Sequence, residues 1–244
     1  MKRLGIAIQT MTRLPLKKQF FVVGQDYAAS VAWFPVTSLL VGVVMLLVYW
    51  IFSFTGISLL AAFVSVIGAY LFTGGFHIDG FADMCDAFFA RKSKERTLEI
   101  LKDSRMGTYG VLAIVFMVGI KTILVANLNY HVLLILLAAP VCGKIPMVLC
   151  AKLSKYPRKD GLAKYIVDDI TTQTALIAIF VSSAIVLMCV GFFAGTVAIA
   201  AMLVIGALMY ALSNNKIGGA TGDILGASNE IGEMVFLFIA MCMV

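Results

Sequence analysis

Six stretches of 17 to 22 residues, 31–52, 57–75, 109–126, 132–151, 175–192 and 196–212, run almost without charge. A helix needs about 20 apolar residues to cross a hydrocarbon core about 30 Å thick. Six such runs in succession predict an integral membrane protein rather than a soluble domain with buried core helices. The composition agrees: 61% of the residues are hydrophobic and 13% charged, where a soluble domain carries about 45–50% and about 25%. Lipid offers no hydrogen bonds, so each run must satisfy its own backbone as a helix. The expected architecture is all-α, a polytopic membrane helix bundle. A last apolar run, 231–244, is short for a span, which leaves about six to seven transmembrane helices.

The charges divide the chain. Of 19 Lys and Arg, all but Lys121 and Lys144 fall in four hydrophilic segments, residues 1–27, 77–108, 152–172 and 213–233. None falls in the tight turns near 55–56, 127–131 and 191–195. Basic residues stay cytoplasmic, so all four segments are expected on the cytoplasmic face of the cytoplasmic (inner) membrane. The 13 Asp and Glu lie in the same segments, which predicts a cytoplasm-facing acidic active site at span ends. A net charge of +6 suits anchoring to anionic lipid. Residues 1–14 place Leu4, Ile8 and Met11 on one helical face without a long apolar core or a cleavage site, reading as an interfacial helix and not a signal peptide. Five scattered cysteines without a C-x-x-C pair imply neither a disulfide framework nor a zinc site. No basic motif with interleaved aromatics points to nucleic acid. Without repeats or low-complexity linkers, 1–244 reads as a single domain.

Three polar strings carry the chemistry. In GGFHIDGFADMCD, residues 74–86, Asp79, Asp83 and Asp86 stand at i, i+4 and i+7 on one helix face. Like charges so placed ask for a divalent cation, and oxygen-only donors favour Mg²⁺ or Mn²⁺ over zinc; the alternative is a solvated acidic face. His77 is open between base and hydrogen-bond partner. In KDSRMGTYG, residues 102–110, Lys102 and Arg105 suit phosphate oxygens and Asp103 a further metal ligand, against a capping turn made by Asp103 and Ser104. In GGATGDILGASNEIGE, residues 218–233, Asp223, Glu230 and Glu233 follow a Gly/Thr turn containing Thr221. It lacks the Walker A pattern, though its backbone suits phosphate; a flexible loop is the alternative. Lys121 and Lys144 lie inside apolar runs, where an ionisable residue is a functional hypothesis unless it snorkels to the interface.

Together with TRLP at 12–15 and FP at 34–35, the strings GGFHIDGFADMCDA, LEILKDSRMGTYG and GGATGDILGASNEIGEMVFL resemble the cobalamin synthase family, adenosylcobinamide-GDP ribazoletransferase, in order and approximate spacing. The resemblance, not the composition, implies the reaction: adenosylcobinamide-GDP is joined to α-ribazole or its 5′-phosphate with release of GMP, dependent on Mg²⁺, in the membrane. By analogy Asp79, Asp83, Asp86 and Asp103 hold metal, and Lys102 and Arg105 meet the diphosphate. Lys121, Lys144 and Thr221 are further substrate contacts, and His77, Asp223 or Glu230 is the base. A second copy of the chain or other cobamide-assembly enzymes would be its protein partners. The chain departs from the family at Cys142-Gly143-Lys144, where Ser-Arg is usual, and Lys lacks the bidentate fork of Arg. Segment 152–169 matches only through Tyr156 and Gly161-Leu162, leaving the ribazole and corrin contacts unassigned.

Two rivals are weighed. A CDP-alcohol phosphatidyltransferase also uses an acidic helix and Mg²⁺, but Asp83 stands where its motif requires Arg. A cation transporter would place carboxylates at mid-bilayer, whereas here they are expected at span ends.

Overall fold

The computed structural model describes residues 1–103, 105–129 and 131–244, and among these the chain is helical without a strand. Helix α1 (Lys2–Met11) packs Ile6, Ala7 and Met11 inward, leaving Leu4 and Ile8 half-buried. Helix α2 (Gly24–Ser30) continues through a short 3-10 turn into α3 (Phe34–Ser53). Then follow α4 (Ser58–Thr73), α5 (Phe76–Phe89), α6 (Lys94–Ile100), α7 (Thr108–Ala126), α8 (Val132–Cys142), α9 (Lys144–Leu153), α10 (Lys164–Asp169), α11 (Thr172–Val190), α12 (Phe192–Ile217) and α13 (Gly222–Met243).

Six stretches are long and apolar enough to cross a membrane: Gly24–Ser53, Thr108–Ala126, Val132–Leu153, Thr172–Val190, Phe192–Ile217 and Gly222–Met243. Helices α4 and α5, bent by 94° at their junction, add a seventh when counted as one crossing. Gly74 and Gly75 make that bend, both in the left-handed region with φ of 80° and 72°, a conformation a Cβ would penalise twice over. With α4 as a crossing and α5 turned 94° off its end, crossings that alternate in direction put the polar connections 74–107, 154–171 and 218–221 at one end of the bundle and the tight turns at the other.

The C-terminal run corrects the sequence reading. Residues 231–244 are not a short separate segment but the second half of the 22-residue α13. Asp223, Glu230 and Glu233 hid this span by interrupting its apolar pattern. At 1.5 Å per residue, Glu230 and Glu233 lie roughly 12 and 16 Å along the helix from Gly222, so two carboxylates stand well inside a helix long and apolar enough to cross a membrane.

Their charges are balanced internally. The Lys121 ammonium on α7 donates to Glu230 Oε2 and Glu233 Oε2, both at 2.7 Å. Tyr70 on α4 donates to Glu230 Oε2 at 2.8 Å. Asn229 donates to Glu233 Oε1 at 2.7 Å and accepts from the Lys144 ammonium on α9 at 2.6 Å. Lys144 also lies 3.5 Å from His77 Nε2 on α5. Five helices are thereby tied through two lysines and two glutamates. In hydrocarbon such polar groups are tolerated only when paired.

Helices α5 and α13 touch backbone to backbone. A Cβ at Gly80 would stand 2.8 Å from Asp223 Cα, and one at Gly226 would stand 3.0 Å from His77 O. Small residues permit this approach between membrane helices. Gly80→Ala is therefore expected to cost about 1–3 kcal/mol, since neither backbone can yield cheaply. Gly119→Ala, where a Cβ would meet nothing within 4 Å, is the comparison and leaves the thermal midpoint in detergent unchanged or slightly raised. Equal midpoints for both variants would mean that the α5–α13 contact is not tight.

Candidate active site

Helix α5 is amphipathic. Ile78, Ala82, Met84, Cys85 and Phe88 are buried, whereas Asp79 is exposed and Asp83 and Asp86 are half-buried. Turned 94° from α4, it presents its carboxylates at the polar end of the bundle. Its apolar side, with Phe81, Met84 and Phe88, lines a groove of about 720 Å³ shared with α7.

The Gly80 contact brings Asp223, in the first turn of α13, to this face. Asp83 is within electrostatic reach of Asp79, Asp223, Asp86 and the Arg158 guanidinium. Thr221 donates to Asp223 Oδ2 at 3.0 Å and is itself buried, so it orients the carboxylate. Two strings far apart in sequence thus share one acidic site. Among the described residues no three His, Cys, Asp or Glu side chains form a ready-made metal cage. The donors that face one another are hard carboxylate oxygens, the set that suits Mg²⁺ when substrate phosphates and water complete the shell.

Asp86 is otherwise engaged. Its carboxylate accepts from the Gly107 amide at 2.7 Å and the Gly110 amide at 2.9 Å, holding the start of α7 as an N-terminal cap supplied from another helix. Asp103 forms a two-residue loop pair with Arg105, whose Nε and terminal nitrogen donate at 2.9 and 2.6 Å. The guanidinium and backbone amide of Arg105 hold the Asp103 carboxyl down at about 2. Its charge is lost only as pH falls below the ordinary carboxylate value toward about 2, so Asp103 is not a neutral-pH switch. Arg105 is 87% exposed and Lys102 is exposed. Ser104 lies outside the described residues.

The remaining sequence-derived site residues are buried. His77 packs its ring on Phe76, with centroids 3.8 Å apart, and faces Lys144. Glu230, Lys121 and Lys144 belong to the interhelical network, so Lys144, at the point where the family usually has Arg, meets Asn229. Of the three potential bases only Asp223 is partly exposed, its side chain 23% accessible, against 3% for the Glu230 side chain.

Sequence reasoning missed Arg158. It comes from the basic run 152–164, which reads as a solvated loop, and no spacing marks it out. The loop folds back onto the start of α13, leaving the Arg158 guanidinium 3.7 Å from Asp223 Oδ2.

Fold and site together define the class: a multi-pass membrane helix bundle with carboxylates from α5 and α13, and an arginine, gathered at the polar end of its spans. The chain belongs to the family described as cobalamin-5-phosphate synthase, which matches residues 3–241. It is 35% identical to an adenosylcobinamide-GDP ribazoletransferase of Clostridium novyi (strain NT), covering 97% of this chain and 95% of that protein. It is 34% identical to the one so named from Klebsiella pneumoniae (strain 342), covering 95% and 96%. That of Clostridium acetobutylicum is 30% identical over 97% of this chain and 94% of its own length. No solved structure matches the chain.

Proposed function

We propose that this chain joins adenosylcobinamide-GDP to α-ribazole or its 5′-phosphate, releasing GMP, at a site on the cytoplasmic face of the inner membrane. The observation that carries this reading is the near full-length match to relatives bearing the ribazoletransferase name. In the reaction a free ribose hydroxyl oxygen of the ribazole, at a position other than the 5′ carbon that the 5′-phosphate occupies, forms a bond to the phosphorus next to cobinamide. The bond from that phosphorus to the bridging oxygen breaks, GMP leaves with the electron pair, and the hydroxyl proton passes to a base. Such a transfer asks for alignment and charge neutralisation more than covalent help.

Asp79 and Asp83 would hold Mg²⁺, because Asp86 and Asp103 already serve the Gly107–Gly110 turn and Arg105. The bound ion supplies neutralisation of the diphosphate charge. Asp223, oriented by Thr221, is the base, being the one of the three potential bases that is partly exposed beside the acidic cluster. Lys102 and Arg105 stand exposed at the rim, where their charge draws an anionic substrate inward. The lysine distribution supports the cytoplasmic placement.

The test is purified protein in lipid bilayers with adenosylcobinamide-GDP, α-ribazole and Mg²⁺. GMP and a cobamide are expected in equal amounts. GMP without cobamide would make the protein a hydrolase, and no GMP would sink the reading.

A further inference from the structure

We infer that Arg158 is the guanidinium that grips the substrate's diphosphate, through donors the fold holds buried and unused at the acidic site. The inference rests on the functional reading above and names a residue for the diphosphate contact.

The Arg158 side chain is 13% exposed. Its Nε and one terminal nitrogen are buried without a hydrogen-bond partner, and the nearest carboxylate oxygen, on Asp223, is too distant at 3.7 Å for a hydrogen bond. A buried guanidinium with idle donors is costly. Arginine is always charged, so the cost is not relieved by losing a proton. The Tyr156 phenol stands beside the guanidinium and donates to Asp160 O at 3.4 Å.

The start of the loop is fastened by two neighbouring residues. The Tyr156 amide donates to Asp168 at 3.0 Å, and the Ala220 amide donates to Lys155 O at 3.0 Å. Gly161 lies against the Tyr156 hydroxyl and Gly219 against Lys155 O, with no room for a Cβ at either. These contacts fasten segment 155–161 to the turn before α13 and aim Arg158 at Asp223 and Asp83. Carboxylates at 3.7 Å or more balance the charge without using its fork. A ligand that brings anionic oxygens to both the carboxylate-held cation and the guanidinium completes the site. A diphosphate has that chemistry, and Arg binds it bidentately. Arg105, by contrast, has its fork closed on Asp103.

Arg158→Lys keeps the charge and loses the fork. We expect kcat/KM for adenosylcobinamide-GDP to fall about 10- to 100-fold, at least tenfold more than for Arg105→Lys, with KM for α-ribazole little changed. Inorganic pyrophosphate with Mg²⁺ should raise the melting temperature of wild type in nanodiscs and fail to raise that of Arg158→Lys or Arg158→Gln. Undiminished protection in either variant, or a greater loss in Arg105→Lys, overturns the assignment. Should both Arg158 variants fail to fold, wild type decides it: hydrogen exchange across residues 155–163 should slow on adding Mg²⁺ and pyrophosphate, and no change there overturns it. Wild type that releases no GMP would sink the functional reading alone, since pyrophosphate binding judges Arg158 separately.

Discussion

Asp83→Asn is expected to lower turnover by about 10²- to 10³-fold while leaving the bundle as stable as the parent or slightly more so. The two effects come from the same crowding. Asp83 is flanked by Asp79, Asp86 and Asp223, with Arg158 as the opposing charge, so removing its charge relieves repulsion in the folded state. The same charge is what retains a divalent cation beside the diphosphate, and loss of one preorganised electrostatic contact to a developing transition state costs about 10²–10³ in rate. Asparagine keeps the side-chain volume, so α5 need not move. A group kept at a cost in stability marks a functional site. The checks are GMP release at saturating substrates and a thermal midpoint in the same lipid. A variant with normal turnover would return the acidic face of α5 to the role of a solvated surface, and one that is inactive because it melts early would make Asp83 structural.

Lys121→Met should produce the opposite pattern, a loss of stability of about 3–5 kcal/mol. The Lys121 side chain is 3% exposed, as is that of Glu230, and its ammonium is shared between Glu230 and Glu233. Removing it leaves two carboxylates well inside a spanning helix with only Tyr70 and Asn229 as donors. Breaking a buried pair from one side costs several kcal/mol, whereas replacing the whole cluster by neutral groups is often tolerated. The triple variant Lys121→Met, Glu230→Gln, Glu233→Gln should therefore recover most of the lost stability. Unfolding in mixed micelles measures both. If the triple variant is no more stable than the single one, the loss stems from packing of the lysine stem and not from stranded charge.

These two variants separate acids that the sequence alone treats alike. Asp83 and Glu233 both sit in Gly-rich polar strings beside an apolar run, and nothing in their spacing says that one faces solvent and the other pairs with a lysine 112 residues away. Depth along α13 decides it. The same holds for Lys144: read in sequence, it occupies a family position for arginine; folded, it meets Asn229 and His77.

Local physics determined the helices, the membrane and the acidic face of α5. Each follows from neighbours within a few turns: unbroken apolar length forces spanning helices, paired glycines at 74–75 end α4, and i, i+4, i+7 spacing lines up three carboxylates. The family, too, was legible, because its strings are contiguous. Tertiary structure alone decided which polar groups meet. Asp223 joins Asp79 and Asp83 because Gly80 lets two backbones touch, Asp86 turns to cap α7 because the Gly107 and Gly110 amides stand open to it, and Arg158 reaches the site because its loop is fastened to the turn before α13. α13 is a full span because Lys121 neutralises the acids that break its apolar pattern. Contacts of this kind depend on where helices cross, and the energy that fixes the crossing is spread over packed side chains far apart in the chain, so no window of sequence contains it.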